Sequence, residues 1–213
     1  MAKAGHVALL GDSIFDNARY TGGQPDVVGH LRSILAEPWT ATLLAVDGSA
    51  TADLAPQLLR VPEGVTHLVV SLGGNDLLRA GDLLATPVSS TAAALELFGE
   101  RCAHFEASYR GALEPLLGLG RELTVCPIYE GNLPERQAGA VKTALRIFND
   151  AILRVAFAVG LTVIELRAVC TERSDYANPI EPSGAGGRKI ALAIAQAIGA
   201  ASSPRTSRVI VPR

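Results

Sequence analysis

The chain has 213 residues, 48% of them hydrophobic and 19% charged, with a formal net charge of -2. That length suits one domain with a sizeable core. The near-neutral balance, with no basic cluster in the body, argues against nucleic acid as a partner, and no apolar run approaches the roughly 20 residues of a membrane span.

Residues 6–10 form a short apolar run that reads as a first strand. Residues 25–36 place Val27, Val28, Leu31, Ile34 and Leu35 at helical spacing, closed by Pro38. Residues 40–46 are a second strand ending in the turn Asp47-Gly48-Ser49. Thr51 reads as the N-cap of a helix carrying Leu54, Leu58 and Leu59. Residues 67–72 are a third strand, ending in Gly73-Gly74-Asn75-Asp76, and residues 77–87 an apolar loop or short helical turn. Ser89 or Ser90 starts a long helix running toward Leu117, with a break expected near Gly99. Residues 122–127 are a fourth strand, 136–159 a second long helix, 161–166 a fifth strand and 183–198 a last helix. Strands alternating with helices, and apolar throughout, predict a parallel sheet covered on both faces. Residues 1–201 read as one domain and 202–213 as a loosely attached tail, in which Val209-Ile210-Val211 could add a strand but a disordered end is expected.

Cys102, Cys126 and Cys170 are an odd number without metal-type spacing and read as reduced thiols. The first six residues lack the long apolar stretch of a secretory signal. Together these point to a cytoplasmic protein.

Three strands end in small polar turns: Gly11-Asp12-Ser13, Asp47-Gly48-Ser49 and Gly73-Gly74-Asn75-Asp76. Each alone is ordinary turn or cap chemistry. In a parallel sheet they share one edge, where ligands and chemistry sit. That edge then offers a hydroxyl nucleophile, Ser13, the N–H groups of Ser13 and Gly48, and the Asn75 amide. Acyl transfer needs this set: an attacking oxygen, and donors aimed at the oxyanion that forms. Gly48 lets a reacting carbonyl approach its N–H with no Cβ in the way.

The segment Gly11-Asp12-Ser13-Ile14-Phe15-Asp16-Asn17, Gly48 and Gly73-Gly74-Asn75-Asp76 resemble, in order and spacing, the first three blocks of the SGNH hydrolases, the GDSL-type esterases and lipases. The resemblance covers nearly the whole chain. It implies a flavodoxin-like three-layer α/β/α domain with a five-stranded parallel sheet. It also implies a small-molecule ester substrate, Ser13 as nucleophile, and Ser13 N–H, Gly48 N–H and Asn75 as the oxyanion hole. No metal or cofactor is implied. Oligomeric state, and the acyl and alcohol groups accepted, are not written in any motif.

The last block departs from the family. Where the family carries Asp-x-x-His before its final helix, this chain has Asn178-Pro179-Ile180-Glu181. Asn178 falls at the Asp position and Glu181 at the His. His6 and His67 start strands, away from the site, and His30 and His104 sit within predicted helices. A Glu is a base about two pKa units weaker than a His, roughly 3 kcal/mol of driving force, part of which burial recovers. Three readings follow. Glu181 is a substitute base, with Asn178 holding its carboxylate or its loop. Or the fold keeps a binding pocket without efficient hydrolysis. Or Asp175 or another carboxylate acts instead. The intact nucleophile and donors favour the first over the second. Tyr129, Glu130 and Asn132 could line the pocket, and ordinary loop residues are as good a reading. Leu77, Leu78, Leu83 and Leu84 could form an acyl-facing wall, although core packing is the simpler expectation.

Overall fold

In a computed structural model of the chain, describing residues 5–201, strand β1 (His6–Gly11) is the centre of construction. Val7, Ala8, Leu9 and Leu10 are fully buried. It pairs in parallel with β2 (Thr40–Leu43) on one side and β3 (His67–Ser71) on the other. Strands β4 (Glu122–Cys126) and β5 (Thr162–Val163) extend the sheet beyond β3, giving the order β2-β1-β3-β4-β5. The expected five-stranded parallel sheet, covered on both faces, is present.

Alternate strand residues feed two cores. Ala8, Leu10, Leu68, Val70 and Val125 face one layer, built on α2 (Ala55–Leu58), α4 (Thr91–Gly118) and α5 (Glu135–Val159). Val7, Leu9, Val69 and Cys126 face the other, built on α1 (Val27–Ile34), α6 (Leu166–Val169) and α7 (Gly184–Ala197). A further short helix, α3 (Gly74–Arg79), follows β3 directly.

Several boundaries differ from expectation, each for a local reason. Regular pairing of β2 stops at Leu43, yet Leu44 and Ala45 both donate to the Leu9 carbonyl and Val46 donates to that of Gly11. Two residues opposing one is a bulge that keeps the chain against β1. Strand β5 shrinks because Glu165 turns back to accept from the Arg167 N–H at 3.1 Å, capping α6. Helix α4 runs unbroken through Gly99, because Leu97, Phe98 and Cys102 around it pack on the same core as Phe105, Tyr109, Leu113 and Leu116, and that outweighs the roughly 1 kcal/mol a helical glycine costs. Ser90 caps it. Thr51 caps nothing: a 3-10 turn (Thr51–Asp53) precedes a single α2 turn, leaving Leu54 buried and Leu59 exposed. Of the two readings for 77–87, apolar loop or short helical turn, the second holds: α3 is followed by a 3-10 turn at Gly81–Ala85.

Ser183 caps α7, accepting from the Gly186 N–H at 3.2 Å. Its glycines allow close approach, since a side chain on Gly186 would strike the Asp175 backbone. The expected tail at 202–213 lies outside the described residues. Among those described, no helix is long and apolar enough to cross a membrane.

Candidate active site

The nucleophile candidate sits where β1 ends. Gly11 takes φ +124°, a left-handed conformation, and a Cβ there would collide with the Ser71 carbonyl of β3. Only glycine suits such a position. The side chain of Gln57, 2% exposed, pairs with both backbone groups of Gly11: Oε1 accepts from its N–H and Nε2 donates to its carbonyl, each at 2.8 Å. Asp12 then folds the turn. Its carbonyl accepts from Phe15 and Asp16, and its Oδ1 from the Ile14 N–H. Ser13 is thus held at the sheet edge on a fixed turn, with 9% of its surface exposed.

The second and third turns are clipped to each other. The Asn75 amide donates to the Ser49 carbonyl at 2.9 Å, and Asp76 accepts from the N–H and hydroxyl of Thr51. Asp16 accepts from the Asp47 N–H at 2.9 Å, tying the loop after β1 to the loop after β2. Gly48 takes φ +83°, the left-handed region again. Among the described residues none accepts from the N–H of Ser13 or of Gly48. A carboxamide carries two N–H donors, so Asn75 keeps one beyond its bond to Ser49.

Glu181 arrives on the loop between α6 and α7. The Asn178 side chain accepts from the N–H groups of Ile180 and Glu181, both at 2.9 Å. Of the two expectations for Asn178, it holds the loop backbone and not the carboxylate. Three tethers fix that loop to the rim: the Tyr129 hydroxyl to the Ile180 carbonyl, the Asn132 N–H to the Pro179 carbonyl, and the Asn17 amide to the Pro182 carbonyl. Asn17, fully buried, also accepts from the Val27 N–H at the start of α1.

Glu181 is 6% exposed, and its Oε2 is buried without a partner. Burial raises its pKa above the usual carboxylate range, a hydrogen bond with Ser13 lowers it, and the charge of Asp47 raises it. Asp12 is affected more strongly. Burial, opposed by the bond from Ile14 and aided by the charges of Glu181 and Asp76, pushes it up to about 8. At neutral pH the site therefore holds Asp12 as a neutral acid.

Asp175 is fully buried but committed elsewhere, paired with Lys189 at 2.8 Å and accepting from the Glu172 N–H. His6, His30, His67 and His104 do not border the site. Ser13, Asn75 and Glu181 line one cavity of about 180 Å³, together with Asp12, Tyr129 and Glu130. Leu77, Leu78 and Leu84 line it too, while Leu83 is buried in the core. Asn132 does not border the cavity, and Gly48 faces a neighbouring depression with Asp47, Ser49 and Gln57. Among the described residues no group of three or more His, Cys, Asp or Glu is placed to hold a metal ion.

The sequence pattern of the GDSL-like lipase/acylhydrolase family matches residues 9–189. The chain belongs to that family. Its activity is carboxylic-ester hydrolysis of the GDSL type. Solved structures share the fold at low identity. An extracellular lipase from Streptomyces rimosus is 15% identical with a TM-score of 0.67, covering 91% of this chain and 99% of its own. An acetylxylan esterase from Geobacillus stearothermophilus is 16% identical with a TM-score of 0.65, covering 92% and 94%. A phospholipase A1 from Streptomyces albidoflavus is 19% identical with a TM-score of 0.61, covering 89% and 98%. Among curated protein sequences none matches.

What reading by motif missed is how this GDSL-family site is held together. Gln57 lay in a predicted helix, Thr51 read as a cap, Asn17 ended the first family block, and Tyr129 and Asn132 were candidates to line the pocket and not to tether the Glu181 loop. Their partners are backbone groups distant in sequence, for which no local pattern exists.

Proposed function

We propose that this GDSL-family hydrolase cleaves a small acyl ester by a Ser13–Glu181 dyad. Glu181 takes the Ser13 hydroxyl proton as Oγ attacks the ester carbonyl. The oxyanion is met by the N–H groups of Ser13 and Gly48 and the free N–H of Asn75. The C–O bond to the alcohol breaks, and Glu181 returns the proton to the leaving oxygen. Water, deprotonated by the same carboxylate, then releases the acid from Ser13.

The observation that carries this reading is the buried Glu181 carboxyl, which lines the same cavity as Ser13, feels its hydroxyl and keeps one oxygen unpartnered. Burying a carboxylate oxygen without a partner is costly, and an incoming substrate or water proton would relieve it. Raising its pKa toward neutrality also improves it as a base, since a catalytic base works best near the operating pH.

A fluorophosphonate probe is expected to label Ser13. Ser13→Ala and Glu181→Gln are each expected to lower turnover of a short aryl ester by at least 10³-fold, against the 10⁴–10⁶-fold seen when members of a serine hydrolase triad are lost. Glu181→Gln retaining full turnover would remove Glu181 as the base. With a carboxylate base the activity persists below pH 6, where an imidazole base is protonated.

A further inference from the structure

Gly11 is the last residue of β1, and on the side facing β2 it has no strand partner. The Leu9 carbonyl accepts from Leu44 and Ala45, and the Gly11 carbonyl from Val46, but regular β1–β2 pairing ends at Leu9 and Leu43. Residues two apart on a strand face the same way, so the Gly11 N–H also points to that side. The side chain of Gln57, from the single turn α2, takes the place of the missing strand residue. Its Oε1 accepts from the Gly11 N–H and its Nε2 donates to the Gly11 carbonyl, each at 2.8 Å. Nε2 donates again, to the Ser49 hydroxyl at 3.2 Å.

A carboxamide offers two N–H donors and a carbonyl acceptor. In Gln57, 2% exposed, all of these are engaged. An apolar side chain would fill the same space without the cost of desolvating an amide. What the amide supplies is a fixed distance between two turns. Gly11 stands two residues before Ser13, and Ser49 directly follows Gly48. The Ser49 carbonyl in turn accepts from the Asn75 amide at 2.9 Å. One buried side chain therefore holds the Ser13 and Gly48 turns directly and reaches the Asn75 turn through Ser49. The half-buried Asp16, accepting from the Asp47 N–H, makes a second tie between the first two turns. Donors that meet an oxyanion must be held in place, since a misplacement of about 1 Å can cost about 100-fold in rate.

Resting on the assignment of Ser13, Gly48 and Asn75 as oxyanion donors, and not on the identity of the base, we propose that Gln57 is a positioning residue. Its amide sets the spacing of the Ser13 and Gly48 turns, so that their N–H groups and that of Asn75 converge on one oxygen.

The test is hydrolysis of a short aryl ester with active sites counted by fluorophosphonate labelling, below the melting temperature of every variant. Gln57→Met, close in volume but without the amide, is expected to lower kcat per labelled site about 10–100-fold, with KM changed by less than about threefold. Inhibition by an alkyl boronic acid, whose tetrahedral anionic adduct on Ser13 puts an oxygen where the donors converge, is expected to weaken by a similar factor. Binding of a neutral amide is expected to hold. Ser49→Ala removes one of the three bonds and is expected to lower kcat about fivefold. Combined with Gln57→Met it is expected to cost nothing further, because that bond is already gone. Ser49→Ala serves where Gln57→Met does not fold.

Unchanged kcat per labelled site in both variants, whatever the fall in Tm, overturns the proposal, as does an equal weakening of boronate and amide. The amide NMR spectrum gives a readout free of activity. In Gln57→Met the N–H signals of Ser13, Gly48 and the Asn75 side chain are expected to shift together, although the Gln57 amide bonds to none of them. Shifts confined to Gly11 and Ser49 overturn the proposal. If the unmodified chain shows neither Ser13 labelling nor turnover, the Ser13–Glu181 mechanism falls and this spectrum alone decides the role of Gln57. If only Glu181→Gln retains full turnover, the base is reassigned and the kinetics of Gln57→Met still decide it.

Discussion

Asp12 stands next to the nucleophile in sequence and is 3% exposed, yet no proposed step uses its charge. Its role follows from its lack of charge. Serine attack adds a negative charge to a site that already holds Glu181, whose charge acts on Asp12, and a second ionised carboxylate there would oppose it. Burial keeps Asp12 protonated until about pH 8. Turnover is therefore expected to fall above pH 8 as Asp12 ionises, and Asp12→Asn, which keeps an acceptor for the Ile14 N–H, is expected to remove that alkaline limb. The same group makes stability depend on pH. Its folded pKa exceeds its unfolded value of 3.8, so the folded chain holds the proton longer. The contribution is full below pH 3.8 and lost as pH rises toward 8. Denaturant unfolding should show Asp12→Asn gaining on the unmodified chain by up to about 1.4 kcal/mol per pH unit across that window. Parallel stability curves would count against a buried neutral Asp12.

The loop that carries Glu181 shows what a sequence can and cannot say about an element. Asn178 and Glu181 were legible because they fall where the family carries Asp-x-x-His before its final helix. The loop's attachments were not, because Tyr129, Asn132 and Asn17 reach its carbonyls from other parts of the chain. The same division holds elsewhere. The ends of β1 and β3 were marked by glycine and small polar residues, whereas the early stops of β2 and β5 depend on a bulge against Leu9 and a cap at Glu165. The segment after Asn75 lacked a clean helical period, since Leu77, Leu78 and Leu84 face a cavity while Leu83 faces the core. For the Glu181 loop this gives a sharp expectation. Asn178→Ala strips the acceptor from two N–H groups and is expected to cost about 1–2 kcal/mol, as loss of a capping side chain does. It should lower kcat about tenfold with little change in KM, because the base loses its aim while the cavity is intact. Asn178→Asp restores the acceptor and is expected to recover stability. Its added negative charge raises the Glu181 pKa, so its acidic limb moves to higher pH, which a mere stability effect would not do.

At the scale of the whole molecule, the site joins two cores that share one sheet. Ile14 and Phe15, which follow Ser13, belong to the layer of α1 and α7, and Leu77, two residues after Asn75, packs against the layer of α4 and α5. Glu181 comes from the segment leading into α7, and the cavity wall comes from α5. Neither layer alone could hold Ser13, Asn75 and Glu181 together, so the rim exists only while both are packed on β1 and β3. Interiors this closely packed respond to a single cavity as a unit. Ile194 of α7 is fully buried and far along its helix from Ser183. Ile194→Ala is expected to cost about 3 kcal/mol, a fall in Tm of about 6–12 °C for a domain of this size. Because the rim spans both layers, the loss of esterase activity on heating should coincide with one calorimetric transition, in the variant as in the unmodified chain. Two separated transitions, with activity surviving the first, would show that the α1–α7 layer melts independently and that the site does not need it.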